Sequence, residues 1–166
     1  TEASVATWAT TLLTDKQVEE SKASALLSMF WLTFMGSRLI TALTLPKGAD
    51  TTLVIVMAVC CVVITLGIVF CKGAKLMCVL IVAAGAVIGP IFPTLIAILL
   101  GHVDAALHGR AVGIFFCIGG IGWTGIPILL GMYAKRTTVQ QAFVCATGSA
   151  VLLTALAFVL DQQLRR

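Results

Sequence analysis

The run Leu76–Leu100 constrains this chain more than any other stretch. It is 25 residues long without one charged side chain, and it contains Gly85, Gly89, Pro90 and Pro93. A helix rises about 1.5 Å per residue, so the run is long enough to cross a hydrocarbon core roughly 30 Å thick with length left for tilt. Its prolines cannot donate to the helical ladder. In lipid, every backbone carbonyl freed in this way has to be satisfied by protein or by a wet cavity. A long, charge-free, proline-interrupted span is therefore expected to border an internal site rather than face lipid alone.

Composition extends this reading to the whole chain. Hydrophobic residues make up 60% of the 166 residues, charged residues only 11%, and the mean hydropathy is +1.09. Soluble domains carry about 25% charge, so the chain reads as an integral membrane protein, expected in the plasma (inner) membrane. The net charge of +4 arises outside the apolar runs and carries little functional meaning. The sequence holds no Asn and therefore no N-glycosylation acceptor. It begins at Thr1 with no basic segment leading into a short apolar core and cleavage site, and it reads as a piece of a longer protein. Cys60, Cys61, Cys71, Cys78, Cys117 and Cys145 form no CxxC pair and are expected to pack as small reduced apolar groups.

Five spans are expected, over 24–45, 51–71, 76–100, 111–132 and 142–160, with residues 1–13 forming the end of a truncated sixth. The whole chain is then a single all-α transmembrane bundle. Short polar links (Pro46–Asp50, Lys72–Lys75, Gly101–Arg110, Tyr133–Gln141) make successive spans antiparallel neighbours. The span 51–71 is rich in Val and Ile and is expected to face lipid. The span 111–132 carries Gly113, Gly119, Gly120, Gly122, Gly125 and Gly131, and is expected to be packed on several sides. Gly85 and Gly89 form a GxxxG assigned to packing within the chain. Orientation is contradictory. With the C-terminus cytoplasmic, that side holds the four cations Lys47, Arg110, Arg165 and Arg166, while the other holds six: Lys16, Lys22, Lys72, Lys75, Lys135 and Arg136.

Few residues inside these spans can carry chemistry. Arg38 lies about seven residues before Pro46, roughly 10 Å inside its helix end. A cation in a span costs at least ~2.5–3.5 kcal/mol at the centre on insertion scales, so Arg38 either makes a structural or gating pair or snorkels to the headgroups. Glu2 is the one carboxylate placed to enter a span, where it would be paired or would carry a proton. Trp8, Trp31 and Trp123 are interface anchors or ring platforms for a ligand. Phe92 and Thr94 flank Pro93 at the helix break. His102, Asp104 and His108 fall in a polar loop and are read as solvated rather than metal-binding. No metal site, cofactor motif, enzyme signature or basic nucleic-acid face is present.

Together these pieces resemble a known pattern. The segment Ile88-Gly89-Pro90-Ile91-Phe92-Pro93-Thr94-Leu95 resembles the tenth helix of major facilitator superfamily carriers, in particular the sugar branch around the fucose–proton symporters. Phe30-Trp31 followed by Gly36-Ser37-Arg38 resembles that branch's eighth helix. Gly109-Arg110-Ala111-Val112-Gly113 with Gly119-Gly120 and Pro127 resembles its tenth loop and eleventh helix. Glu2 through Trp8 is similar to the outer half of its seventh helix. The link Pro46–Asp50 departs from the family's acidic-basic loop signature after helix eight.

The resemblance implies the C-terminal half of a twelve-helix carrier, comprising the end of helix seven and helices eight to twelve. The N-terminal six-helix half would be its partner. The seventh and tenth helices would line a central cavity, the eighth and eleventh would face the other half, and the ninth and twelfth would face lipid. The implied activity is secondary active transport of a small polar solute, a sugar by expectation, coupled to a proton or sodium ion. Glu2, Trp8, Phe92, Thr94 and Trp123 would line the solute path. Arg38, Gly89, Pro90 and Pro93 would hold or bend the helices between states. Rival readings are a drug or metabolite exporter of the same superfamily, whose site should be mostly apolar, and a non-transporting membrane scaffold. A membrane-embedded enzyme would need paired catalytic groups at one depth.

Overall fold

The computed structural model describes residues 1–46 and 48–164. Lys47, Arg165 and Arg166, which entered the orientation count, lie outside the described residues. All regular structure among the described residues is helical, in the order α1 (Glu2–Thr14), α2 (Glu20–Thr44), α3 (Asp50–Phe70), α4 (Ala74–Ile88), α5 (Ile91–His102), α6 (His108–Ala134), α7 (Val139–Ala142) and α8 (Val144–Leu164). A single 3₁₀ turn, Ala105–Leu107, precedes α6. Five helical stretches are long and apolar enough to cross a membrane, with α4–α5 and α7–α8 each counted as one stretch. The five spans read from the sequence correspond to these, with ends differing by a few residues. Of residues 1–13, all but the N-cap Thr1 fall within α1.

The α4–α5 break shows why one apolar run becomes two helices. Gly89 and Pro90 both keep right-handed helical dihedrals (φ −49°, ψ −53° and φ −72°, ψ −22°), so the chain does not unwind. The break is a lapse in hydrogen bonding: Pro90 and Pro93 lack the N–H groups that would reach back to the Ala86 and Gly89 carbonyls.

Two helix pairs, α2 with α4 and α3 with α8, carry the most extensive packing. In lipid, helix association rests on close packing and interhelical hydrogen bonds, and small residues permit both. The α2–α4 crossing is built this way. A Cβ at Gly85 would overlap the Phe30 carbonyl oxygen and Thr33 Oγ1, and one at Gly89 would overlap Ser37 Oγ and the Phe34 carbonyl oxygen. Thr33 Oγ1 also donates across the crossing to the Val82 carbonyl at 2.9 Å. The GxxxG is thus an intramolecular contact.

The helix α3 presents two faces. Val54, Ala58, Cys61, Thr65 and Ile68 are buried in alternating steps of four and three residues, while Val56, Val59, Val63, Leu66 and Phe70 are exposed. The outer face is the one available to lipid, as expected for this Val- and Ile-rich span. The inner stripe meets α8, whose buried Ala146, Ala150 and Ala157 let the backbones come together. Thr65 is buried without penalty because its hydroxyl donates to the Cys61 carbonyl at 2.9 Å. The C-terminal end of α3 is closed by Gln140, whose amide donates to the carbonyls of Ile68 (3.0 Å), Val69 (3.1 Å) and Cys71. These are carbonyls that a helix end leaves without partners.

The glycine-rich α6 departs from expectation. Leu130 is its only buried residue, and Gly113, Gly119, Gly120, Gly122 and Gly125 have no neighbour that a Cβ would meet within 4 Å. Only Gly131 is used, against the Trp8 ring. The small-residue surface of α6 is uncovered within this chain.

Candidate functional site

A cavity of about 590 Å³ opens where α1, α2, α5 and α6 converge. Glu2 enters it from α1, Arg38 from α2 and Phe92 from α5. The fourth wall is α6, through Phe115, Phe116, Ile118, Gly119, Gly120 and Trp123. Helical periodicity explains why α6 supplies so much: residues 116, 119, 120 and 123 follow the i, i+3, i+4, i+7 pattern of one face. The absence of side chains at Gly119 and Gly120 leaves the volume open between the rings. Phe92 meets Phe115 and Phe116 with centroids 5.4 and 5.3 Å apart, closing the apolar floor.

Arg38 reaches the cavity through a structural bond. Its Nε donates to the Gly89 carbonyl at 2.8 Å. That carbonyl is the one left without a helical partner by Pro93, so the cation of α2 replaces the hydrogen bond that the proline removes. The guanidinium carbon lies 4.2 Å from the centroid of Phe34, adding a cation–π contact. Phe34 in turn stacks on Phe30 at 5.9 Å. Residues 30, 34 and 38 thus form one ladder along α2, facing the Gly85–Gly89 edge of α4. The Nε of Arg38 is thus held at a helix–helix contact.

Glu2 and Arg38 share the cavity and interact electrostatically across it. They do not form an ion pair: among the described residues, the only pair within 4 Å is Lys22 with Glu19. No hydrogen bond to the Glu2 carboxylate is found among the described residues. Two residues of opposite charge type thus line one otherwise apolar and aromatic chamber without an ion pair between them.

The sequence-derived candidates divide into two groups. Glu2, Phe92, Trp123 and Arg38 come together around the cavity. Trp8 and Thr94 are turned to other tasks. The Trp8 indole donates to the Pro127 carbonyl at 3.3 Å and lies across Gly131, tying α1 to α6. The Thr94 hydroxyl is buried and donates to the Pro90 carbonyl at 2.7 Å, reinforcing the weak turn after the break. Gly89 is the acceptor for Arg38, Pro93 creates the lapse it repairs, and Pro90 frees the Ala86 carbonyl in the same way. Phe115, Phe116, Ile118, Gly119 and Gly120 were not singled out as site residues from sequence. The signal was present in their spacing with Trp123.

The loop after α5 is taken up by local structure. His102 Nδ1 lies 2.8 Å from the Ile98 carbonyl, His108 Nε2 lies 3.0 Å from the Val103 carbonyl, and Asp104 accepts from the Ala106 N–H at 2.9 Å. No group of three potential metal ligands gathers among the described residues. All six cysteines are free; Cys61 and Cys71 are buried, while Cys117 is exposed on α6. No protein-family model, curated protein or solved structure matches this chain.

Proposed function

We propose that this chain is the C-terminal half of a major facilitator-type secondary carrier that moves a small polar solute by alternating access in the plasma (inner) membrane. The observation that carries the reading is the cavity that Glu2 and Arg38 share among these apolar helices. Isolated charges are expensive in a span, so they persist where a solute, an ion or a partner domain meets them. Support also comes from the uncovered faces of α2 and α6. These bear Leu32, Met35, Leu39, Ile40, Ile114, Ile118 and Ile121, all more than half exposed, on the two helices that would face an N-terminal six-helix half. The lapse in hydrogen bonding at Gly89–Pro93 supplies the flexible joint and Arg38 the latch that holds it. A proton or sodium ion is the proposed coupling ion.

A sugar is the solute the resemblance implies, with its apolar face on Phe92 and Trp123 and its hydroxyls on Glu2 and Arg38. One observation favours the exporter-like alternative. Apart from Glu2, Arg38 and the Trp123 indole, every lining side chain is apolar or absent. A hexose presents more hydroxyls than these groups satisfy, and each one left unpartnered in an apolar site is costly.

The carrier reading is tested by access. A cysteine at Gly120, in the protein as cells make it but with its own thiols replaced, should react with a membrane-impermeant maleimide from one face. Solute or a gradient of the coupling ion should move that reactivity to the opposite face. A cysteine there that is reached only by lipid-soluble reagents under all conditions would end the proposal.

A further inference from the structure

We infer that the solute is a zwitterion with an apolar body, its anionic group held by Arg38 and its ammonium by Glu2. This inference rests on the carrier reading of the cavity and deepens it to a ligand class. Three features converge on it.

The first is donor accounting at Arg38. A guanidinium has five N–H groups. The Nε–H is committed to the Gly89 carbonyl, and the four on the Nη atoms have no hydrogen-bond partner among the described residues. Fixing Nε in this way orients the plane of the remaining fork, and a planar carboxylate matches that fork in bidentate fashion.

The second is the separation of charge. Glu2 and Arg38 line one chamber without an ion pair between them, so each keeps charge that a ligand can meet directly. Together they sum to zero. A monoanion or a monocation would neutralise one of them and leave the other stranded beside a new net charge, which is the costly outcome. A molecule that carries both charges, and no net charge, satisfies both ends.

The third is the rest of the wall. Phe92, Phe116 and Trp123 offer rings rather than hydrogen-bonding groups, and Gly119 and Gly120 leave room for a bulky substituent. That environment takes an aliphatic or aromatic side chain, not a shell of hydroxyls.

The test is a ligand series on the unaltered protein in detergent. Bound radiolabelled L-phenylalanine is competed with N-acetylphenylalanine (an anion), phenylalanine amide (a cation), glycine and D-glucose. L-phenylalanine should bind saturably. Removal of either charge, or of the side chain, should weaken competition on the order of 10-fold or more. Glu2→Gln should then reverse the order: the anion gains on the zwitterion, because Arg38 is now the only charge in the chamber. A general loss of structure would weaken all of these ligands together and could not produce that reversal. Competition by glucose alone, equal competition by the singly charged derivatives, or an unchanged order in Glu2→Gln would each overturn the inference. The access experiment on Gly120→Cys reads the carrier proposal separately. A protein that switches access but is filled by glucose discards the ligand class alone. One that binds phenylalanine without switching discards the carrier and keeps the ligand class.

Discussion

Arg38 and Pro93 are coupled although neither touches the other through a hydrogen bond. Pro93 withholds the N–H that would have met the Gly89 carbonyl, and Arg38 Nε supplies the replacement at 2.8 Å from a different helix. The pair should behave non-additively. Arg38→Leu leaves a buried carbonyl unsatisfied and should cost about 1–3 kcal/mol. In a Pro93→Ala background the helix can supply its own donor, and the cost of Arg38→Leu should fall by ~1 kcal/mol or more. Chemical or thermal unfolding of the four proteins in detergent measures the cycle, and strict additivity would dissociate the two residues.

The α2–α4 crossing predicts a contrast between glycines of identical type. Gly85→Ala and Gly89→Ala each drive a methyl into α2 backbone oxygens and should cost about 1–3 kcal/mol. Gly113→Ala and Gly122→Ala meet nothing within 4 Å and should be neutral or stabilising by up to ~1 kcal/mol, because alanine favours the helix. Melting temperatures of the four variants under one detergent condition decide the matter.

That contrast also marks where the sequence could be read and where it could not. The five spans were legible because lipid demands long runs of satisfied backbone, which is a property of composition and length. The Gly85–Gly89 contact was legible because GxxxG places both residues on one face. The surroundings of Gly119 and Gly120 were not, since a glycine that admits another helix and a glycine that holds open a cavity look alike. The inner stripe of α3 escaped notice because Val54, Ala58, Cys61 and Ile68 differ little in polarity from the outer residues. In the cavity, Glu2, Phe92, Trp123 and Arg38 were found through charge and chemistry. Trp8 and Thr94 were assigned to the solute path for the same reasons, but both side chains turn to backbone carbonyls, at Pro127 and Pro90. Direction of a side chain is a tertiary fact. Thr94 carried the clearer hint, since Thr hydroxyls in helices commonly fold back on the i−4 carbonyl.

Gln140 closes α3 from a distance in sequence of about seventy residues, reaching Ile68, Val69 and Cys71. Gln140→Ala should expose those carbonyls and loosen the α3 end. Amide hydrogen exchange over Ile68–Cys71 should accelerate on the order of 10-fold, matching the loss of ~1–2 kcal/mol of local protection. Exchange unchanged from the parent protein would show that the amide is a bystander.

The entrance to α2 predicts a pH response outside the membrane. Glu19 accepts from Ser21 Oγ at 2.7 Å and lies 3.3 Å from Lys22 Nζ. The Ser21 hydroxyl first, and the Lys22 ammonium second, hold its carboxyl below the usual carboxylate range. A lowered folded-state pKa means that its stabilisation is complete above the unfolded pKa and is lost as pH falls through the folded one. The first turn of α2 should therefore loosen on acidification below the ordinary carboxylate range, and Glu19→Gln should remove that part of the response. Carbon-detected NMR titration of Glu19 reads the direction. A midpoint above that of a free glutamate would contradict the geometry.

Cys117 supplies a native probe of what covers α6. It is exposed, and it sits between Phe116 and Ile118, which line the cavity, whereas Cys61 and Cys71 are buried. Thiol alkylation follows access to the reagent, and a charged maleimide does not partition into hydrocarbon. If this stretch of α6 borders a wet passage, Cys117 should be modified by the charged reagent in intact membranes while Cys61 and Cys71 are spared. The addition of a cavity ligand should slow that modification. If instead α6 lies against acyl chains, only an uncharged, lipid-soluble maleimide should reach Cys117, and no solute should change its rate. Mass spectrometry of the labelled peptides separates the two outcomes, and the second would remove the physical basis for a carrier.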